Sequence, residues 1–131
     1  MTIGRSSIVT TACEIGDSLR RHEESEARRL AFHFVESFDS ATADERIKMI
    51  AEEPPGTGDV RFDALLAAIV EFACARHSGV APSWVDRPGR FLSQWWFVSG
   101  MPTLHANAIA HSPISFARRG IFITEDALAY A

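Results

Sequence analysis

The chain has 131 residues, of which 47% are hydrophobic and 23% are charged, and its formal net charge is −4. This length suits one globular domain, and the composition excludes an intrinsically disordered chain. The acidic balance argues against a stand-alone nucleic-acid-binding protein, which usually carries a surplus of basic residues. Two cysteines are too few for a disulfide-rich secreted scaffold, and no apolar run approaches the roughly 18 residues of a membrane span. Met1–Arg5 does not resemble a signal peptide, so we expect a cytoplasmic protein.

The predicted single domain, residues 1–131, divides into two parts of different charge. Residues 1–59 hold seven basic and twelve acidic side chains, whereas residues 60–131 hold six basic and five acidic side chains. The two prolines and two glycines of residues 54–59 predict a loop, because no regular helix crosses such a segment. We therefore expect an acidic helical front over residues 1–53 and an aromatic-rich helical back over residues 60–131.

Apolar spacing and capping residues predict the longer helices. Apolar side chains recur every three or four residues from Asp17 to about Phe38, which predicts one helix there. Thr42-Ala43-Asp44-Glu45 matches a capping box and opens a helix that stops before Pro54. Asp59 caps the most apolar helix, which is expected to end near Gly79.

Shorter elements are predicted around and after this apolar helix. We expect a helix from Pro102 to His111, and another that starts at Ser112-Pro113 and ends near Gly120. Ile121-Phe122-Ile123 favours an extended segment, and Thr124 can cap a last short helix through Tyr130. The sequence also allows a helix over Ile8–Ile15. The predicted fold is all-α, a compact domain of about five to seven helices with an irregular aromatic-rich segment.

The histidines and cysteines do not predict a metal centre or a catalytic set. His105 and His111 are six residues apart, which places them about 240° apart around a regular helix. Cys13 and Cys74 lie in different segments, and no metal-binding spacing accompanies them. We therefore expect no cofactor, no metal and no catalytic residues. The alternative is a small enzyme that uses His105 and His111 with an acidic side chain as its acid–base groups.

An aromatic block is the most distinctive feature of the sequence. Five aromatic residues fall within fourteen positions, with Arg87 and Arg90 among them: Trp84, Phe91, Trp95, Trp96 and Phe97. The block can pack against the Asp59-capped helix and so hold the irregular segment in place. In that case, whichever of Trp95 and Trp96 is buried contributes roughly 3–5 kcal/mol to the free energy of unfolding. It can instead bind a partner protein, since Trp and Arg are enriched at interface hot spots. Stacking of single-stranded bases is a third interpretation, which the negative net charge disfavours.

Motifs over roughly residues 53–123 resemble a domain of GC-rich bacteria. They are Arg61-Phe62-Asp63-Ala64-Leu65-Leu66-Ala67-Ala68, Arg90-Phe91-Leu92 with Trp95-Trp96-Phe97, Ala110-His111-Ser112-Pro113, and Phe116-Ala117-Arg118-Arg119-Gly120-Ile121-Phe122-Ile123. That domain occurs in short uncharacterised proteins and at the C-terminus of helix-turn-helix regulators. Some of those proteins are similar to antitoxins encoded beside nucleotidyltransferase-type toxins. The first 50 residues show no helix-turn-helix with a basic recognition helix, so the resemblance implies protein binding rather than DNA binding.

The leading hypothesis is therefore a non-enzymatic, antitoxin-like protein that binds a partner toxin, with a nucleotidyltransferase as the candidate that the resemblance implies. Its acidic front is expected to be steered to a basic cleft, and the aromatic block or the Arg118-Arg119 pair supplies buried anchors. The candidate partner-binding residues are Glu23, Glu24, Glu26, Trp84, Arg90, Trp95, Trp96, Arg118 and Arg119. A transcriptional regulator is a further alternative, with phosphate contacts from Arg20, Arg21, Arg28 and Arg29. Those arginines alternate with glutamates, so pairing within the helix explains them more simply.

Overall fold

The computed structural model of the chain describes residues 7–98, 108–109 and 111–123. The α-helices in these residues are α1 (Ile8–Arg20), α2 (Glu24–Asp39), α3 (Ala43–Ile50), α4 (Val60–Arg76) and α5 (Ile114–Ala117). Two short 3-10 helices, Ser83–Asp86 and Pro88–Arg90, precede strand β1 (Trp96–Phe97), and strand β2 (Ile121–Phe122) follows α5. The all-α fold class is confirmed. In the described part of the chain, no helix is both long enough and apolar enough to cross a membrane.

The prediction of one helix from Asp17 to Phe38 is wrong, because the chain turns between α1 and α2. His22 takes a left-handed conformation with a φ of 60°. The amide of Glu23 donates to the Ser18 carbonyl at 2.9 Å and the amide of His22 to the Leu19 carbonyl at 3.0 Å, which is the Schellman pattern of a helix end. Histidine is one of the few non-glycine residues that tolerate this conformation, so the sequence carries no glycine at the break.

The caps of α3 and α4 are as predicted. Thr42 and Glu45 exchange the two hydrogen bonds of a capping box, at 3.2 and 2.7 Å. The Asp59 side chain accepts from the amide of Arg61 at 2.9 Å and starts α4. At the far end, Ser78 rather than Gly79 takes the left-handed conformation, while the Gly79 amide closes the helix on the Cys74 carbonyl at 2.8 Å.

Helix α4 lies at the centre of the fold. Its side chains from Ala64 to Val70 are all buried, so it is apolar on every side, as expected of a helix surrounded by others. It packs against α2, α5 and both 3-10 helices, whereas α1 packs mainly against α2. Helix α4 therefore positions the aromatic block against one side of the molecule and the acidic helices against another.

A small parallel sheet closes the aromatic side. Strands β1 and β2 pair Trp96 with Ile121 and Phe97 with Phe122. The extended conformation predicted for Ile121–Ile123 is confirmed at Ile121 and Phe122. The pairing of the two strands was not predicted, because a strand of two residues is too short to show an alternation of apolar and polar side chains. Residues 108, 109 and 111 are helical, and the rest of the predicted Pro102–His111 helix lies outside the described residues, as does the helix predicted from Thr124.

Candidate partner-binding site

Two of the glutamates proposed to steer the partner, Glu23 and Glu26, are paired with arginines rather than open. Glu23 accepts from Arg21 at 2.5 Å and Glu26 accepts from Arg29. Hydrogen bonding to Arg29 holds the pKa of Glu26 below its ordinary value. Exposed pairs of this kind contribute little free energy, but they cancel much of the local field. The front therefore offers a weaker steering surface than the count of carboxylates predicts.

Glu24, at the start of α2, connects this helix to α4. It accepts from Arg28 at 3.0 Å within α2 and from Arg61 at 2.6 Å on α4, so it ties the two helices together. Arg61 also donates to both oxygens of Asp59, at 3.2 and 2.8 Å. These carboxylate partners hold the pKa of Arg61 above its usual value. Arg20, Arg21, Arg28 and Arg29 all pair with acidic neighbours, which confirms the simpler interpretation of those arginines.

Charge reversal at Glu24 is expected to lower stability. Glu24→Lys removes both ion pairs and places a cation in the first turn of α2, where the helix dipole favours an anion, so we expect a loss of about 1 kcal/mol. The loss should shrink as salt rises from 0.05 to 0.5 M, because exposed charges are screened. Urea denaturation at the two salt concentrations measures it. Glu36→Lys makes the same charge change in the last turn of α2, where the helix dipole favours a cation, so it should not lower the urea midpoint.

Trp84 and Arg90 are core residues, so their assignment to a partner surface is corrected. Trp84 is 4% exposed, and its indole N–H donates to the Ile50 carbonyl at 2.9 Å. The guanidinium of Arg90 lies 5.0 Å from the Trp84 ring and donates to the carbonyls of Asp63 and Pro54, at 3.1 and 3.0 Å. Trp84 therefore bonds to the end of α3, Arg90 bonds to the start of the 54–59 loop, and both side chains are buried.

Arg118 and Arg119 are neighbours with different environments. The Arg119 side chain is 0% exposed and donates to Glu71 at 2.6 Å, to the Ser115 carbonyl at 2.7 Å and to the Val85 carbonyl at 2.8 Å. Burial lowers the pKa of Arg119, and the bond to Glu71 opposes that shift. Arg118 is partly exposed and binds Glu71 through two nitrogens at 2.9 and 2.8 Å. Arg119 is therefore a structural residue, and only Arg118 of the Arg118-Arg119 pair lies at the surface.

Glu71 is the centre of this network, and sequence reasoning missed it. Burial alone would raise the pKa of Glu71, but hydrogen bonds from Arg118 and Arg119 outweigh it and the pKa is lowered. The available signal was a single carboxylate in the middle of an apolar helix, because such a group requires a cationic partner. Nothing in the sequence, however, indicates which arginine lies beside it.

Trp95 and Trp96 remain on the surface side of the aromatic block. Trp95 is 66% exposed and packs edge-on against Phe122, with ring centroids 4.9 Å apart. Trp96 is half-buried between Phe62, at 5.4 Å, and the guanidinium of Arg61, at 5.0 Å. Trp96 is therefore the more buried of these two tryptophans, and Trp84 is the tryptophan of the block that lies in the core.

These rings border a groove of about 300 Å³, which we call the aromatic groove. Its lining residues are Val60, Arg61, Gly89, Phe91, Leu92, Ser93, Gln94, Trp95 and Trp96. Val60 is 68% exposed, so the groove has a large unburied apolar side chain from α4 and another from the segment before β1. An apolar concavity with few convergent polar groups is the usual form of a binding site.

The structure brings no catalytic set together in its described residues. The closest arrangement is Asp39 with His77, whose Nε2 lies 2.7 Å from the carboxylate, one helical turn beyond Cys74. Burial raises the pKa of the Cys74 thiol to about 11, so it stays protonated and is a poor nucleophile at neutral pH. His111 is exposed, and His105 lies outside the described residues. Within the described residues, no group of three His, Cys, Asp or Glu side chains could hold a metal ion.

The chain matches no protein-family model, no curated protein and no solved structure at a significant level. The resemblance to the domain of GC-rich bacteria therefore stays a prediction. What can be said of function depends on the geometry of the aromatic groove.

Proposed function

We propose that this chain is a non-enzymatic, antitoxin-like protein-binding module that neutralises a partner toxin by direct contact, with the aromatic groove as its main contact surface. The observation that carries the proposal is the exposure of Trp95, whose ring stands at the edge of a groove that also leaves Val60 uncovered. Tryptophan is the residue type most typical of interface hot spots. Burying such a ring against a partner removes a large apolar area from water.

The charged surface favours a protein partner over nucleic acid. Acidic neighbours occupy Arg20, Arg21, Arg28 and Arg29, which disfavours phosphate contacts and so the regulator alternative. The proposed partner is the toxin that the resemblance implies, with the nucleotidyltransferase type as the first candidate.

The test is co-expression with the product of the adjacent gene, followed by calorimetry on the purified pair. Trp95→Ala is expected to weaken the complex by about 2 kcal/mol or more, roughly thirtyfold, because a central aromatic anchor is lost. The same variant should fail to relieve the growth arrest that the adjacent gene product causes when expressed alone.

The matched control is Ile47→Ala. Ile47 is also 66% exposed, but it lies on α3, outside the aromatic groove. This variant should bind like the wild type. The proposal fails if no complex forms, if both variants bind equally well, or if the chain alone shows enzymatic turnover.

A further inference from the structure

A second pocket, of about 220 Å³, lies between α3 and the C-terminal ends of α2 and α4, and we call it the α3 pocket. Two of its apolar side chains, Ile47 and Val80, are 66% and 92% exposed. None of the described residues that line it is acidic. Sites for drug-sized ligands measure roughly 300–1,000 Å³, so this pocket suits a smaller molecule. Its lining residues are Phe38, Ala43, Arg46, Ile47, Ile50, Cys74, His77, Gly79 and Val80.

The α3 pocket contains an arginine, Arg46, whose charge has no carboxylate partner in the described part of the chain. Each of the other described arginines forms an ion pair with an aspartate or a glutamate. Nε of Arg46 donates to the Phe38 carbonyl at 2.8 Å, and Nη2 donates to the Asp39 carbonyl at 2.6 Å. These carbonyls belong to the end of α2, where the helix dipole supplies about half a unit of negative charge, so they compensate the cation only in part.

The guanidinium of Arg46 also has hydrogen-bond donors to spare. Nε and one N–H of Nη2 lie along one edge of the planar group, and Nη1 makes no hydrogen bond to the described residues. A carboxylate that meets Nη1 and the second N–H of Nη2 forms the bidentate pair that arginine favours. The Phe38 ring lies 5.6 Å from the guanidinium carbon and lines the same pocket, so an apolar wall begins beside these donors.

The neighbouring carboxylate of Asp39 does not cancel the charge of Arg46. One of its oxygens lies 2.7 Å from Nε2 of His77, and the other lies 3.1 Å from Nη2 of Arg76. Arg76 therefore neutralises Asp39, and Arg46 leaves the pocket with a positive charge. Its complement is a ligand that brings one anionic group to Arg46 and an apolar body to the rest of the pocket.

We infer that the α3 pocket binds a small carboxylate with a compact apolar body, of about the size of benzoate, whose oxygens accept from Arg46 while the body packs against Phe38 and Ile47. This site is separate from the proposed function, because the α3 pocket and the aromatic groove share no lining residue. Since the ligand contacts α2, α3 and α4 together, binding should also raise the thermal midpoint as its concentration rises.

Titration of the isotope-labelled full chain with benzoate, followed by two-dimensional NMR, tests the inference. Benzoate should bind with a Kd of about 1 mM or below, because a bidentate ion pair and an apolar contact act together. The amide signals that shift most should belong to residues of the α3 pocket. Benzamide keeps the ring but not the charge, so it should bind at least about tenfold more weakly. Acetate, which lacks the apolar body, should bind no better than benzamide.

Three variants test the contacts one at a time. Arg46→Gln should weaken benzoate binding about tenfold and leave benzamide binding unchanged, because only the charged pair is lost. Lys48→Gln is the matched control, since Lys48 is an exposed cation on α3 that does not line the pocket, and it should bind benzoate like the wild type. Ile47→Ala shortens the apolar wall and should weaken benzoate binding by roughly threefold or more. The spectrum of each variant without ligand establishes that it is folded, and the comparison with benzamide tests the charge on the wild type itself.

Several outcomes would overturn the inference. Benzamide that binds as tightly as benzoate, or Arg46→Gln that binds benzoate like the wild type, would show that the cation does not recognise the ligand. Equal losses at Lys48→Gln and Arg46→Gln would assign the attraction to overall charge. Shifts that do not begin to saturate by about 10 mM, or that lie mainly outside the α3 pocket, would remove the site. Trp95→Ala should bind benzoate like the wild type, so none of these results decides the partner complex, which calorimetry on the co-expressed pair tests separately.

Discussion

Replacing Glu71 with glutamine is expected to lower the free energy of unfolding by about 3–5 kcal/mol, because it leaves the buried Arg119 charge without its anion. Glu71 is the acidic partner that Arg119 contacts most closely, at 2.6 Å, and the Arg119 side chain is fully buried. The carbonyls of Ser115 and Val85 accept two further hydrogen bonds but carry no full charge. Urea denaturation followed by circular dichroism measures the loss.

Glu36→Gln is the matched control for Glu71→Gln. Glu36 lies on α2 with an exposed side chain, and its nearest basic group is His33 at 3.9 Å. Removing its charge should change the unfolding free energy by less than about 0.5 kcal/mol. A loss at Glu71→Gln as small as that at Glu36→Gln would show that the arginine–glutamate network does not hold α4, α5 and the 3-10 helices together.

The difference in stability between the wild type and Glu71→Gln should depend on pH, because the pKa of Glu71 is lowered in the folded protein. A carboxyl whose folded pKa is depressed stabilises the protein above its unfolded pKa of about 4.3 and loses that contribution as pH falls through the folded value. The wild type should therefore exceed Glu71→Gln by a constant margin between pH 6 and 8. The margin should begin to narrow below about pH 4.3, where Glu71 of the unfolded chain takes up a proton, and it should close only as the pH falls through the lower folded pKa of Glu71. A margin that stays constant down to pH 3 would assign the stabilisation to packing instead.

Local chemistry explains which elements could be predicted. The capping box at Thr42 and the cap at Asp59 act within a few residues of their helices, so the sequence pattern is sufficient. The end of α1 at His22 was missed because a left-handed residue other than glycine has no clear signature. The β1–β2 pairing was missed for a different reason: each strand has only two residues, and the contact joins distant segments.

Sites depend on tertiary packing in a way that residue type does not reveal. The aromatic block contains three tryptophans, and the sequence indicates that they form a unit without showing which faces the core. Arg118 and Arg119 are adjacent and identical in type, yet one is partly exposed and the other is buried. What separates them is the direction in which the chain leaves α5, and that direction is set by contacts with α4 and the 3-10 helices.

Trp84→Ala is expected to lower the free energy of unfolding by about 3–5 kcal/mol, the range for truncating a buried aromatic side chain. The substitution leaves a cavity beneath α4, removes the hydrogen bond to the Ile50 carbonyl, and takes away the ring that contacts the Arg90 guanidinium. Trp84→Phe retains an aromatic ring but not the N–H donor. It should lower the free energy of unfolding by a smaller amount, about 1–3 kcal/mol, because the buried Ile50 carbonyl is left without a hydrogen bond.

Trp95→Ala provides the contrast within the same block. Its ring is mostly exposed and makes edge contacts with Phe122 and Phe97, so truncation should cost less than about 1.5 kcal/mol, the range of a surface aromatic pair. Thermal denaturation of the three variants and the wild type gives their midpoints. Trp84→Ala should have the lowest midpoint, and that of Trp95→Ala should be nearest the wild type. If Trp95→Ala is as destabilising as Trp84→Ala, its loss of partner binding could not be separated from loss of folding. The exposed ring would then belong to the core, and the aromatic groove would lose its principal anchor.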